Sequence, residues 1–302
     1  MSSVQNRLLS AMVRKTNVPR DLDLVKSQNL NISLTVDVES HGSADDYEFS
    51  KILDDLIVRL EQRNIRATFF VNGSVIFRWE KKIVELYKAG HHIGSHGWSH
   101  VPLAVLGEAK SKEEINRCYY EISSLIGSSS ALGFRAPYFS LTEETPWAPN
   151  LIFDAGFSYS SSVLPGRNPQ FAYRNSPLLP FKWQNGLPEF PVPTLNLFGF
   201  TCPAIGGGYL RVLPKSLINR FLERSKDQVG LWTYCHPYDF AGALHMPKSP
   251  SWMMRRILAM RRQLMMPRLL EIVNSNAPSM KDLVSSAEFI NSLHVFSSRK
   301  EE

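Results

Sequence analysis

His96 and His100, in SHGWSH, stand four residues apart, a spacing that lets two imidazoles meet on one turn. Neutral imidazole is the commonest side-chain metal ligand, and a catalytic zinc ion takes three protein ligands plus a water. Asp37 and Glu39 stand two apart, so on an extended segment they share a face. One carboxylate can complete the ligand set while the other takes a proton from a bound water, whose pKa a metal lowers to about 7. Arg135, in GFRAPYFS, ends an apolar run; its guanidinium stays charged there and needs a carboxylate partner, for which Asp37 is the natural candidate. Pro137 presets a turn, and the backbone N–H of Tyr138 beside it can face a developing oxyanion. His236, in YCHPYDF, suits a general acid for a leaving amine.

Each of these residues has a plainer reading by itself. A histidine pair in a Gly- and Ser-rich turn can be merely polar, acids are frequent at strand ends, and a lone histidine after a strand is more often structural. The elements that must position them decide between the readings. Residues 31–36 (NISLTV), 66–71 (RATFFV) and 92–95 read as buried strands, and 132–135, 157–161, 188–192 and 231–235 as further ones. Between them, Phe49, Ile52, Leu53, Leu56, Ile57 and Leu60 recur at helical spacing. So do Ile115, Cys118, Tyr119, Ile122, Leu125 and Ile126. Helices are also expected over 80–89, stopped by Gly90, and over 214–224. Repeated strand–helix units imply a parallel sheet, and about seven of them imply closure, or near closure, into a barrel. Asp37, Glu39, His96, His100, Arg135 and His236 all fall just past strand C-termini and would face one rim, where such barrels gather their chemistry. His91 and His92 precede the end of their strand and read as structural or exposed. Residues 165–188 read as a long loop over one rim, and Gly206–Gly208 as a tight turn near it.

The composition is that of an ordered protein: 43% hydrophobic and 21% charged residues over 302 positions leave no bias toward disorder. The net charge of +6 suits anionic surroundings, yet no nucleic-acid recognition motif accompanies it, so no nucleic-acid partner is expected. Three scattered cysteines, Cys118, Cys202 and Cys235, form no CxxC pair and read as buried thiols in a reducing compartment. With no apolar run long enough for a signal peptide or a spanning helix, the sequence reads as cytoplasmic.

The stretches LTVDVES, ATFFVNGSV, HHIGSHGWSH, GFRAPYFS, GFSYSSS, EFPV, GGGYLR and YCHPYDF run in order from about residue 31 to 240. In these the chain resembles the polysaccharide deacetylases that share the NodB homology domain, and among them the subgroup associated with exopolysaccharide and exosortase gene clusters. The resemblance implies an α/β fold, a deformed (β/α)7 barrel, and a divalent metal, with Zn2+ the usual one. It implies Asp37 as general base, His96 and His100 as metal ligands, Arg135 as the residue steering the base, Tyr138 in the oxyanion hole and His236 as the acid. The implied reaction removes an N-acetyl, sometimes N-formyl, group from an amino sugar. Many members carry two adjacent acids after the first strand, the second binding metal; Val38 occupies that place here, and the D-x-D spacing of other members points to Glu39 as ligand. Ser160 stands where relatives of the subgroup often carry Asp, which implies weaker support for His236.

The expected organisation is an N-terminal extension over 1–28, the barrel over 29–245 and a C-terminal helical extension over 246–302 packing on it. Within the last, Met253, Ile257, Met260 and Leu264 share a helical face opposite Arg255, Arg256, Arg261 and Arg262. The segment 251–264 either packs this face on the barrel, the favoured reading, or lies on an anionic membrane near a lipid-linked sugar. The expected partner is therefore an N-acetylated glycan or a lipid-linked sugar substrate. The machinery is also consistent with a small-amide hydrolase, and Val38 leaves room for an inactive glycan-binding protein.

Overall fold

Strand β1 (Ser33–Val38) shows why the chain folds around a barrel: all six of its residues are buried, three on each face. Leu34, Val36 and Val38 face outward into the layer beneath the helices, while Ser33, Thr35 and Asp37 face the barrel interior. The computed structural model describes residues 30–39, 46–129, 131–168, 171–240, 260–275 and 277–297. The strands that follow are β2 (Ala67–Val71), β3 (His92–Ser95), β4 (Gly133–Phe134), β5 (Tyr159–Ser160), β6 (Phe181–Lys182) and β7 (Pro188–Glu189). After them come β8 (Thr194–Leu197), β9 (Phe200–Pro203) and β10 (Trp232–Cys235). The main sheet has the order β10-β1-β2-β3-β4-β5-β7-β6, parallel throughout except that β6 runs antiparallel to β7. Seven parallel strands curl into a deformed barrel. Trp232 Nε1 in β10 donates to the carbonyl of Pro191 just past β7, 3.0 Å away, and so bridges the two sides of the seam.

Aromatic rings fill the interior. Phe70, Tyr159, Phe190, Trp232 and Tyr234 pack together there, and small residues make room for them. A Cβ added at Gly133 would lie 2.1 Å from Tyr159 Cζ, and one at Gly206 would lie 2.1 Å from Tyr234 Cδ1. His91 and His92 are structural and buried. The His91 ring accepts from the Ala67 N–H at 3.2 Å, and His92 lies against Thr68 and Tyr159. Burial pushes both imidazoles down to about 4.

The outer helices follow their apolar stripes. Helix Asp46–Glu61 buries Phe49, Leu53, Leu56 and Leu60, and helix Glu108–Ile126 buries Ile115, Cys118 and Ile122 before Gly127 ends it in the left-handed region. Helices Glu80–Lys88 and Lys215–Arg224 stand where periodicity places them.

Two hairpins were not expected. Residues 165–188 are no single loop: Pro165 bridges Tyr173, and β6 turns into β7 through Asn185-Gly186, with Gly186 at φ 87°. Asn-Gly is a strong short-range hairpin signal. Strands β8 and β9 form a second hairpin whose turn, Phe198-Gly199, has positive φ at both residues.

The described part of the C-terminal segment closes the end of the barrel opposite the chemistry. Helices Met265–Ile272, Met280–Ser285 and Ala287–Ser292 follow one another, the second started by a capping box between Ser279 and Asp282. Met280, Leu283, Phe289 and Leu293 join the interior aromatic cluster, and Phe289 stacks on Phe190 at 5.7 Å. Ser33 and Thr68, near the strand starts, bond to Pro278 and Met280. These helices form a floor inside the barrel as well as an outer layer. Residues 1–28 and most of 251–264 lie outside the described residues. Among the described residues no helix is long and apolar enough to cross a membrane.

Candidate metal centre

The parallel register brings the candidate residues to one rim. Ser95 pairs with Val71 on one side and Phe134 on the other, so His96 and Arg135 leave neighbouring strands at the same level as Glu39 leaves β1. Glu39, His96 and His100 offer ligand atoms that all lie within 4.8 Å of one another. Glu39 Oε2 is 3.4 Å from His96 Nε2 and contacts His100 Nε2. His96 Nδ1 lies 3.1 Å from the Arg135 carbonyl, so its proton is donated there and Nε2 keeps a free lone pair toward Glu39. His100 reaches the cluster from a left-handed backbone, φ 57°. Two imidazoles and one carboxylate with converging lone pairs are a fitting donor set for a divalent metal with open positions. Val38, on the opposite face of β1, is buried in the outer apolar layer and directed away from the cluster.

Asp37 lies beside this group. Its Oδ1 accepts from Arg135 Nη1 at 2.6 Å, and both side chains are buried. The guanidinium also donates to Thr35 Oγ1 at 2.8 Å and Ser161 Oγ at 3.0 Å, and sits over the rings of Phe70 (4.0 Å) and Trp232 (4.3 Å). Five donors in a fixed plane suit this site as a lysine would not.

Past Arg135, Pro137–Phe139 form a tight turn in which Tyr138 and Phe139 take φ of 59° and 53°. Consecutive left-handed residues other than glycine cost on the order of 1–2 kcal/mol each, and such strain clusters at ligand-binding turns. The Tyr138 ring lies 4.8 Å from that of His100 and 6.0 Å from that of Phe171, making an aromatic wall beside the Glu39, His96 and His100 cluster. Burial, then the Glu39 charge, raises the Tyr138 phenol, so it is a neutral hydroxyl.

His236 faces the same point. Its Nε2 is 3.9 Å from Asp37 Oδ2 and 3.8 Å from Glu39 Oε1. Burial pulls its pKa down, but the hydrogen bond and charge of Asp239, with Glu39 and Asp37, outweigh that and carry it up to about 9.

Three polar residues escaped the sequence reading. Asp239 Oδ2 accepts from the His236 backbone N–H at 2.9 Å and lies 3.0 Å from His236 Nδ1. Arg211, fully buried, lies 2.9 Å from Asp239 Oδ1. Glu189, fully buried in β7, accepts from the backbone N–H groups of Ser162 and Val163 and from Trp183 Nε1. Support for His236 therefore comes from Asp239 rather than from position 160. Ser160 bonds Ser162 at 2.9 Å, and Ser162 in turn holds the Ala136 N–H beside Arg135. A His-x-x-Asp spacing on one turn was the available signal for Asp239. An arginine on the apolar side of a short helix was the signal for Arg211.

Residues 27–155 match the family described as polysaccharide deacetylase, and residues 161–284 match one described as a domain of unknown function, DUF3473. The first stretch is thus similar to a polysaccharide deacetylase domain. A chitin deacetylase of Pestalotiopsis sp is 33% identical over 89 residues, 28% of this chain and 30% of its own length. A peptidoglycan-N-acetylglucosamine deacetylase of Bacillus cereus is 32% identical over 110 residues, 36% of this chain and 38% of its own. The matches span about a third of the length of these curated relatives. A solved structure from Mycobacterium smegmatis, assigned to the polysaccharide deacetylases, shares the fold at a TM-score of 0.52 and 18% identity. It covers 93% of this chain and 99% of its own. The two matched regions are not two bodies: β1–β4 belong to the first, β6–β10 to the second, and one sheet contains strands of both.

Proposed function

We propose that the chain is a metal-dependent N-deacetylase of an N-acetylated amino sugar, within a glycan or a lipid-linked precursor, with Zn2+ as the metal. The observation that carries this reading is the convergence at one rim of a two-histidine, one-carboxylate cluster, the Asp37–Arg135 pair and His236. A divalent ion held by Glu39, His96 and His100 would acidify a water and polarise the amide carbonyl.

The chain's own groups supply the rest. Asp37, held in place by its hydrogen bond from Arg135, takes the proton as the water oxygen bonds to the carbonyl carbon. The Tyr138 turn presents its backbone N–H to the oxygen that gains charge. His236 gives its Nε2 proton to the sugar nitrogen as the C–N bond breaks, leaving acetate and a free amine. The His100–Tyr138–Phe171 wall offers ring faces of the kind against which a sugar packs. The related chitin and peptidoglycan-N-acetylglucosamine deacetylases support an N-acetylglucosamine-type substrate.

The test is zinc content and acetate release measured together on purified protein offered N-acetylglucosamine oligomers, with Asp37→Ala as control. Zinc with acetate release absent from the control supports the proposal. Zinc without acetate points to another sugar, a lipid-linked substrate or a small amide. Failure to bind zinc at all sinks it.

A lipid-linked substrate motivates the membrane reading of the basic segment 251–264, which sedimentation with anionic vesicles tests directly. A cytoplasmic location is part of the same proposal, supported by three buried, free thiols at Cys118, Cys202 and Cys235.

A further inference from the structure

We infer that the stretch matching the domain of unknown function builds the acid half of the active site, with Asp239 and Arg211 as positioning residues for His236. The inference rests on the deacetylase reading for its kinetic consequence, although the placement of His236 does not depend on it.

Asp239 uses both carboxylate oxygens. Oδ2 takes the His236 backbone N–H at 2.9 Å and the ring Nδ1 at 3.0 Å, while Oδ1 faces Arg211 Nη2 at 2.9 Å. Neither Asp239 nor Arg211 has any exposed surface, so water cannot take over either role. A carboxylate at Nδ1 fixes the ring: the proton shared with Asp239 sits on Nδ1, and Nε2 is held toward Asp37 and Glu39. Because the same oxygen also takes the His236 backbone N–H, the carboxylate is anchored to the main chain beside the ring, and the imidazole cannot turn without losing its Nδ1 bond.

Arg211 is itself fixed from the C-terminal segment. It lies in helix Gly207–Val212 and donates from Nη1 to the Met260 carbonyl at 3.0 Å. Arg268, buried in helix Met265–Ile272, donates from Nη1 to the carbonyls of Leu210, Arg211 and Leu213 at 2.8–3.1 Å. These are carbonyls at a helix C-terminus, which have no partner in the helix and which a cation suits. The chain of contacts runs Arg268, the helix end, Arg211, Asp239, His236, all within residues 161–284. The base Asp37 with its partner Arg135, and the ligands Glu39, His96 and His100, all lie within 27–155. The two matched regions therefore divide the chemistry as well as the sheet.

The test uses the full chain with Asp239→Ala, Asp239→Asn and Arg211→Met. For each, zinc content, kcat and KM for acetate release from N-acetylglucosamine oligomers, and the crystal structure around His236 are measured. Asp239→Ala is expected to lower kcat about ten- to hundredfold, the usual effect of losing a partner that orients a functional histidine, with KM and zinc content held. Its His236 ring should leave the position facing Asp37. Asp239→Asn keeps an acceptor for the Nδ1 proton and should recover part of the loss, and it carries the same readouts if the alanine variant does not fold. Arg211→Met should resemble Asp239→Ala. An unmoved His236 ring with unchanged kcat in Asp239→Ala overturns the inference, as does zinc content falling in step with activity. If the wild type releases no acetate from any substrate, the deacetylase reading fails, and the ring position alone decides this one.

Discussion

Arg135 Nη1 lies 2.6 Å from Asp37 Oδ1, and neither side chain reaches solvent to any useful degree. A buried pair of this kind adds little stability for its own sake, but removing one partner strands a charge in the interior at a cost of about 3–5 kcal/mol. Arg135→Met should therefore lose stability and activity together. Asp37→Asn should lose activity, about 10²- to 10⁴-fold for a lost general base, while its amide can still accept from Arg135. Thermal melting beside steady-state rates checks both. An active Asp37→Asn variant would show that the base lies elsewhere.

Metal removal should stop turnover without unfolding the chain. The candidate ligands stand just past β3, on the loop after it and just past β1, all anchored in a barrel whose apolar core does not involve them. A chelator should abolish acetate release, zinc should restore it, and the far-ultraviolet circular dichroism spectrum should stay constant. Glu39→Ala should weaken zinc binding with little effect on melting. Unchanged zinc affinity in that variant would exclude Glu39 from the ligand set.

Much of this was legible in the sequence. The strands near 33, 67, 92 and 232 declare themselves because both faces are buried and their residues are β-formers, and the candidate site residues lie at or just past the ends of β1, β3, β4 and β10. The Arg135–Asp37 pairing follows from one consideration, that a guanidinium at the end of an apolar strand must find an acid. The hairpin through Asn185-Gly186 was legible too, but a Pro- and aromatic-rich surrounding hid strands only two residues long. Asp239 and Arg211 were harder, because an ion pair 28 positions apart leaves no periodic trace. Nothing in the local pattern of Met280, Leu283 and Phe289 says that they fill the inside of the barrel rather than cover its outside.

The pH dependence of stability follows from His236. Its folded-state pKa is raised to about 9, above the ordinary histidine value of about 6.5. A raised value means that the folded state holds the proton more tightly than the unfolded chain. The stabilisation is then complete below pH ~6.5 and disappears as the pH rises to about 9. For metal-free protein the melting temperature should fall across that interval, and His236→Gln should flatten the fall. A wild-type profile as flat as that of His236→Gln would show that Asp239, Glu39 and Asp37 do not hold the imidazolium.

Replacing Val38 by aspartate tests the geometry of β1 most sharply. In a pattern of two adjacent acids the second would bind metal, so sequence logic alone expects Val38→Asp to add a ligand. The pleat of the strand says otherwise: Val38 is 1% exposed and packs in the outer apolar layer, whereas Asp37 points inward and Glu39 reaches the histidines. A carboxylate at position 38 would be buried without a partner, either ionised at a large penalty or neutral with its hydrogen bonds lost, at a cost of about 2–5 kcal/mol. The expected outcome is a lower melting temperature with zinc affinity unchanged. Tighter zinc binding with stability retained would mean that β1 can turn its other face to the site, and that the assignment of Glu39 as ligand is wrong.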